Sequence, residues 1–485
     1  MKHEASKKKV IVSLFWKFSE TLANQGINLL IMTILARLLS PSDFGVVGLV
    51  TVYLVVSNIL ITGGFSNALI RKKTIDDADL STVFYIYMMM AIVLYACLFS
   101  IAPAVASFYE KPILKPILRA LGLNIFPGAV NSIQEAVVVR SFKFKMYFYR
   151  SLVALVISGA IGISMAYSGY GVWSLVIMQM VSVVVRTTVL WFTVKWRPKF
   201  VFSFEKAKEL FSYGYKLLIS NLIKTAYDNV YSLIIGKVYD TETLGYYSKG
   251  NQFPSLIMTS VDGTISSVML PTLSSMQDDK KKLKKTMRQA IGSSSFLLCP
   301  MMLGLAVVAR PLVLILLGEK WLPAVPFLQL SSFAYIFWPM QTSNGQALQA
   351  LGRSDLHLKL GLIKRFIGVI LLLVSLKFGI YAMMGASVLT QIIGSFVQAV
   401  PNTYLLGYGA KQQVLDIVPA LILSIIMAVI IYPLVGVIAN SYFLIIAQVS
   451  LGATLYLLMA KLFKLEAMKF MFETFKMLVP KNTDK

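Results

Sequence analysis

Lys216, Lys224 and Asp228 lie in a stretch over 211–235 that is otherwise apolar and long enough to cross a bilayer. A Lys or Asp near the centre of a membrane helix costs roughly 2.5 to 3.5 kcal/mol on insertion scales, so it faces a partner or a water-filled cavity and marks a functional site by default. Glu20, Asn24 and Asn28 recur every four residues in the first apolar stretch, which puts them on one helix face. Both sets suit binding and translocation rather than bond-making. Cations can neutralise an anionic solute, amides can hydrogen-bond hydroxyl groups, and carboxylates can carry a proton or a sodium ion. A structural reading competes for each. Lys224 and Asp228, four residues apart, can simply neutralise one another. Lys216, nearer the helix end, can snorkel, and so can Arg186 in a later apolar stretch. Asn131, Gln134 and Glu135, and Gln341, Asn344, Gln346 and Gln349, suit either a sugar or neighbouring helices. Asp262 is open between a coupling-ion role and a helix-terminus role.

Catalytic chemistry finds little support. Asp76, Asp77 and Asp79 resemble a metal-binding acidic cluster, but no nucleotide-binding domain surrounds them and a solvated loop is the better reading. His3 and His357 are isolated, and no Walker-type phosphate loop occurs. Cys97 and Cys299 lie within apolar segments, in neither a metal spacing nor a disulfide framework. No catalytic residue, metal or cofactor is expected; energy would come from a proton or sodium gradient.

The elements that must position these residues are membrane helices. Of 485 residues, 57% are hydrophobic and only 14% charged, and the mean hydropathy is +0.72. Apolar blocks of about 20 residues, each able to cross the hydrocarbon as a helix, fill the chain. The expected spans are 11–35, 44–69, 80–108, 115–139, 150–169, 171–194, 208–235, 245–274, 285–309, 325–351, 357–377, 381–405, 415–437 and 441–463. This is an all-α polytopic membrane protein with about fourteen transmembrane helices. The first span lacks a small-residue cleavage site and reads as a retained helix rather than a signal peptide. The net charge of +24 sits mostly in short loops of one side, Arg71-Lys72-Lys73, Arg140 to Arg150 and Arg353 to Arg365 among them, and sets topology rather than binding nucleic acid. It predicts both termini in the cytoplasm.

A repeat at a shift of roughly 200 positions aligns Ala36, Arg37 and Gly45 with Gly236, Lys237 and Gly245. A second match aligns Phe126-Pro127, Asn131 and Arg140-Ser141 with Trp338-Pro339, Asn344 and Arg353-Ser354. The copies run in the same membrane direction, so the expectation is two six-helix lobes, 1–206 and 207–410, related by a pseudo-two-fold axis along the membrane normal. Two additional helices over 411–463 and a cytoplasmic tail over 464–485 complete the chain. The same shift lays Glu20, Asn24 and Asn28 against Ser220, Lys224 and Asp228, two polar stripes suited to facing a central cavity.

The run Leu35-Ala36-Arg37-Leu38-Leu39-Ser40-Pro41-Ser42-Asp43-Phe44-Gly45 resembles the opening of the Wzx-type polysaccharide exporters, members of the flippase superfamily that also holds the MATE exporters and the lipid II flippases. Gly318-Glu319-Lys320-Trp321, followed by Leu328-Gln329-Leu330, is similar to the branch exporting colanic and teichuronic acid units. The resemblance implies a MATE-like fold in a bacterial cytoplasmic membrane, working as a monomer. It implies alternating access that carries a polyprenyl-pyrophosphate-linked oligosaccharide to the outer leaflet for a polysaccharide polymerase machinery. Lys224, Lys216 and Arg186 would then neutralise pyrophosphate or uronic acid groups, and Asn24, Asn28, Asn131 and Asn344 would meet sugar hydroxyls. Glu20 and Asp228 are candidate ion-coupling sites, though no family motif carries them. The alternatives are a MATE-like cation-coupled exporter of small molecules, which would prefer an acidic cavity, and a membrane-embedded polymerase, which would need a sizeable extracytoplasmic loop. If Glu20 couples ions, Glu20→Gln changes transport differently under a full and a collapsed ion gradient; an equal effect under both removes that role.

Overall fold

The computed structural model describes residues 2–62, 69, 75–140 and 144–469, and every regular element among them is helical. Within the described residues, each of the fourteen expected spans falls on a helix or a pair of consecutive helices; residues 63–68 of the second span lie outside them. The first three are α1 (Lys2–Leu38), α2 (Pro41–Thr62) and α3 (Asp77–Phe108). The fourth is broken into α4 (Leu114–Gly122) and α5 (Ile125–Arg140), followed by α6 (Phe144–Tyr167), α7 (Val172–Thr193), α8 (Phe204–Val238) and α9 (Thr241–Ser274). Next come α10 (Lys280–Val307) and the short α11 (Ala309–Leu316). The tenth span is again a broken pair, α12 (Val325–Tyr335) and α13 (Trp338–Ala350). Then follow α14 (Ser354–Ser375), α15 (Ile380–Leu406), α16 (Ala410–Ile431), the single turn α17 (Leu434–Val437) and α18 (Ser441–Leu462).

Nine helices among the described residues are long and apolar enough to cross a membrane by composition alone. Of the five spans outside that set, four fall in pairs six spans apart and the eleventh stands alone. The first and seventh, α1 and α8, carry the charged stripes. The fourth and tenth are interrupted just before Phe126-Pro127 and Trp338-Pro339. The eleventh, α14, holds Lys359, Lys364 and Arg365. Breaks and charges are tolerated at membrane depth only where other protein groups or a cavity satisfy them. The departures from apolarity therefore mark where neighbouring helices or a cavity must meet polar groups. Exposed apolar side chains such as Met89, Ile446 and Val429 cover the helices that would meet lipid tails.

The chain divides into two compact units, Met1–Gly245 and Tyr246–Lys485. In the first, α6 packs against both α1 and α7, and α8 lies along α2. The first compact unit runs past the expected lobe boundary at 206 and takes in α8, which was expected to open the second lobe. In the second unit α16 packs on α10 and α18, and α15 on α12, α13 and α14. Its core includes Leu273, Met287, Cys299, Met302 and Met340.

Both segments that carried the family resemblance prove to be structural devices. Ser40 caps α2: its hydroxyl accepts from the Asp43 amide, while the Asp43 carboxylate accepts from the Ser40 amide at 2.9 Å. Two hundred positions on, Asp240 caps α9 through the Thr243 amide. The helix starts meet reciprocally within the first unit. A Cβ at Gly45 would lie 1.7 Å from the Thr241 carbonyl oxygen, and one at Gly245 would lie 2.0 Å from that of Pro41. Pro41 and Thr241, like Gly45 and Gly245, are repeat equivalents, so each glycine admits the other copy's backbone. In the second segment Gly318 has a φ of +96°, which starts the 3-10 turn that fully buries Trp321.

The acidic run before α3 is more than a solvated loop. Asp76 and Asp79 form a reciprocal capping box. Lys206 pairs with Asp76 and approaches Asp79 at 3.7 Å, and Lys199 pairs with Asp77. The hydroxyls of Ser81 and Thr82 accept the Lys199 and Ser203 amides at 3.0 Å, pinning the extended connection between α7 and α8 to the head of α3. The Lys206 ammonium beside Asp76 holds its carboxyl down at about 2. Because that value is depressed in the folded state, the stabilising contribution is complete above about pH 4 and disappears as pH falls through about 2.

Gly45→Ala drives a Cβ into backbone and should lower the thermal midpoint in detergent. Gly385→Ala, on α15 with nothing within 4 Å, should hold or raise it, since Gly→Ala at a compatible site stabilises by about 0.4–1 kcal/mol. Equal midpoints would refute the close approach.

Candidate functional site

The first unit contains a cavity of about 780 Å³ lined by α2, α5, α6, α7 and one turn of α8. Its polar wall is made of Asn58, Asn124, Asn131, Glu135, Gln179 and Asn221, with Arg186 among them. The break between α4 and α5 brings Asn124 to the wall, and Asn131 and Glu135 follow on the same face of α5, four residues apart.

Charges around the cavity are unequally engaged. Arg150, on α6 and almost wholly buried, donates through Nη1 to Glu135 Oε1 at 2.8 Å and to Asn131 Oδ1 at 3.3 Å. Asn131 Nδ2 closes the triangle on Glu135 Oε1 at 2.8 Å. The Arg150 guanidinium also lies 4.4 Å above the centre of the Tyr147 ring, a cation–π contact. Arg186, on α7, lies within electrostatic reach of Arg150, Glu135 and Glu20 but forms no ion pair among the described residues, and its Nε, like that of Arg150, is buried there without a hydrogen-bond partner. A guanidinium in fixed fork geometry with a spare donor suits a phosphate or carboxylate. Glu20 is buried against α6, where Ser151 Oγ donates to its Oε1 at 3.0 Å.

A model of the family described as "Polysaccharide biosynthesis protein" matches residues 34–326, more than half of the chain. The chain belongs to this family. Among its relatives, the Bacillus subtilis (strain 168) protein named Teichuronic acid biosynthesis protein TuaB is 23% identical over 72% of this chain and 73% of its own. The Escherichia coli (strain K12) Lipopolysaccharide biosynthesis protein WzxC is 22% identical over 88% of each. The Rhizobium meliloti (strain 1021) Succinoglycan biosynthesis transport protein ExoT is 25% identical over 67% of this chain. The chain spans 65% of that relative's length. Among solved structures, the lipid II flippase MurJ in an inward closed conformation superposes over 93% of this chain and 98% of its own, with a TM-score of 0.74 at 17% identity. An inward-facing multidrug resistance MATE family transporter of the MOP superfamily gives 0.62 at 16% identity, over 80% and 96% of the two chains. At these identities the likeness establishes the fold, which is MATE-like, all-helical and polytopic.

Within this polysaccharide biosynthesis protein the sequence-derived candidates separate. Arg186 and Asn131 are brought together at the cavity. Asn24 and Asn28 are half-buried on α1, and Lys224 and Asp228 are exposed on α8. Lys224 lies three residues beyond the cavity-lining Asn221 and Asp228 seven, so both share its helix face. The side chain of Lys216 lies outside the described residues, as do Arg71, Lys72 and Lys73 and the tail beyond Lys469. Asn344 is not at a cavity wall. It is fully buried, donating to Gln413 Oε1 at 2.7 Å and accepting from Asn402 Nδ2 at 2.7 Å, which ties α13 to α15 and α16. Asp262 accepts the Thr342 hydroxyl.

Three cationic features escaped the sequence. Arg150 was counted among loop charges, yet it is a buried partner of Glu135. Lys364, on α14, donates to Gln341 Oε1 at 2.5 Å and Gln391 Oε1 at 2.8 Å, with the Trp338 ring centre 5.4 Å from its Nζ. In each unit, then, a cation on the helix after the broken span reaches back to polar groups of that span. Lys249, near the start of α9, is buried and donates to Gln252 Oε1 at 3.2 Å.

Removing Glu135 strands the Arg150 charge. Glu135→Leu should cost about 1–3 kcal/mol as a lowered thermal midpoint, and adding Arg150→Met should recover most of the loss. A double variant no better than the single one would refute the pairing.

Proposed function

We propose that this polysaccharide biosynthesis protein is a flippase. It moves an anionic, polyprenyl-pyrophosphate-linked oligosaccharide from the inner to the outer leaflet of a bacterial cytoplasmic membrane for cell-surface polysaccharide assembly, by alternating access between two six-helix lobes. One observation carries the reading: Arg186 stands in an amide-rich cavity with a buried donor uncommitted, while the adjacent carboxylate of Glu135 is already held by Arg150. That wall offers a cation to an anionic headgroup and amide donors and acceptors to sugar hydroxyls. A MATE-like exporter of small cations is the weaker reading, since the carboxylate that would bind a cation is neutralised in place. Names of the relatives, which speak of teichuronic acid and lipopolysaccharide biosynthesis, support the same substrate class.

In this scheme Lys224 and Lys216 extend the positive character along α8, Asn24, Asn28 and Asn131 meet the glycan, and Glu20 and Asp228 sense a proton or sodium gradient. The chain acts as a transporter rather than an enzyme, as a monomer with both termini in the cytoplasm, handing its cargo to a polymerase machinery.

Arg186→Ala and Lys224→Ala should each cut export of surface polysaccharide at least tenfold without changing protein abundance in the membrane, whereas Arg186→Lys should retain partial activity. Normal export from both alanine variants would overturn the anion-binding role.

A further inference from the structure

The second unit contains another concavity, of about 660 Å³, between the start of α10, the first half of α16 and the turn after α18. Its size is within the roughly 300–1,000 Å³ range of small-molecule sites. We propose that it binds one anionic glycerophospholipid, holding the phosphate headgroup at a basic rim and the upper acyl chains in the cleft.

The rim is basic after internal pairing is counted. Arg288 Nε donates to Asp416 Oδ1 at 2.7 Å, and the Tyr408 hydroxyl donates to Asp416 Oδ2 at 2.7 Å, so that carboxylate is committed from both sides. Glu466 is the remaining acid, within electrostatic reach of Arg288. Lys285 and Lys464 have no ion-pair partner among the described residues, and both are exposed on the cleft. Lys464 is one of two non-glycine residues with positive φ among the described residues, at 50°. This left-handed turn ends α18 and folds residues 463–467 back over α10 and α16, so Phe463 and Lys464 stand side by side at the rim.

Below the rim the lining is apolar and open to the hydrocarbon. Leu415, Ile422 and Ile426 of α16 and Phe463 line the cleft and remain exposed. Room at the floor comes from Gly292, where a Cβ would meet nothing closer than the Ala467 Cβ at 3.9 Å. Ser293 Oγ beside it is buried without a hydrogen-bond partner. Basic groups at an interface above an apolar slot match an acidic lipid headgroup and its chains. A soluble anion would leave the apolar slot unfilled, and a neutral lipid would leave both lysines uncompensated. The rim's placement at the cytoplasmic leaflet rests on the orientation proposed above, but binding in detergent does not depend on it, so the two ideas fail separately.

Native mass spectrometry of the detergent-purified full chain, titrated with phosphatidylglycerol, phosphatidylcholine or undecaprenyl phosphate, tests the proposal. One phosphatidylglycerol should be retained in preference to phosphatidylcholine. Lys285→Gln and Lys464→Gln should each weaken that preference roughly fivefold, and Gly292→Leu, which fills the floor without altering charge, should lower occupancy of the bound lipid. Thermal midpoints of the lipid-free variants serve as the folding control. The proposal is overturned if the double lysine variant keeps full selectivity, if Gly292→Leu binds as wild type does, or if only undecaprenyl phosphate is retained.

Discussion

A charge inside hydrocarbon must find a counter-charge, a hydrogen-bonding partner or a cavity, and most of what is informative in this chain follows from that constraint. Arg150 satisfies it with Glu135 and Asn131. Lys364 satisfies it with Gln341 and Gln391, and the uncharged but polar Asn344 meets the same need for hydrogen-bond partners through Gln413 and Asn402. Arg186 has no ion pair among the described residues, whereas Arg150 has Glu135, and it stands at the wall of the large cavity in the first unit; the buried Nε of both arginines lacks a hydrogen-bond partner. The contrast separates groups that hold helices together from one that lines open volume.

The broken spans serve the same end. Where α4 gives way to α5, the chain presents Asn124 and then Asn131 and Glu135 to the cavity; a continuous apolar helix there would have no reason to enclose water or an anion. The corresponding break between α12 and α13 leads instead into a closed polar network. The two breaks thus share a backbone device in different surroundings, a cavity wall in one unit and a cross-link among α13, α15 and α16 in the other.

Close approach is the second requirement. Gly45 and Gly245 let the starts of α2 and α9 meet backbone to backbone, and Gly159 receives Ile31 where α1 packs on α6. Membrane helices gain little from the hydrophobic effect between themselves, so small residues that admit tight van der Waals contact do that work. This explains why the segments by which the chain resembles its family are a helix cap, a glycine contact and a buried tryptophan rather than ligand-binding residues: they specify the fold on which sites are placed.

By itself the sequence determined the class and the spans. Length and continuity of apolar blocks leave only helices in a bilayer, and the spacing of Arg37, Gly45, Lys237 and Gly245 exposed the repeat. It also located Arg186 and Asn131, since polar groups in apolar segments are visible one at a time. Tertiary structure decided which of those groups share a cavity. Asn131 and Asn344 look equivalent in sequence, yet one lines a wall and the other is sealed among three helices, because burial depends on neighbours far along the chain. Arg150 looked like a topology-setting loop charge until α6 was seen to carry it against α5. Periodicity reports which face of a helix a residue occupies; only packing of the other helices determines whether that face meets lipid, protein or a ligand.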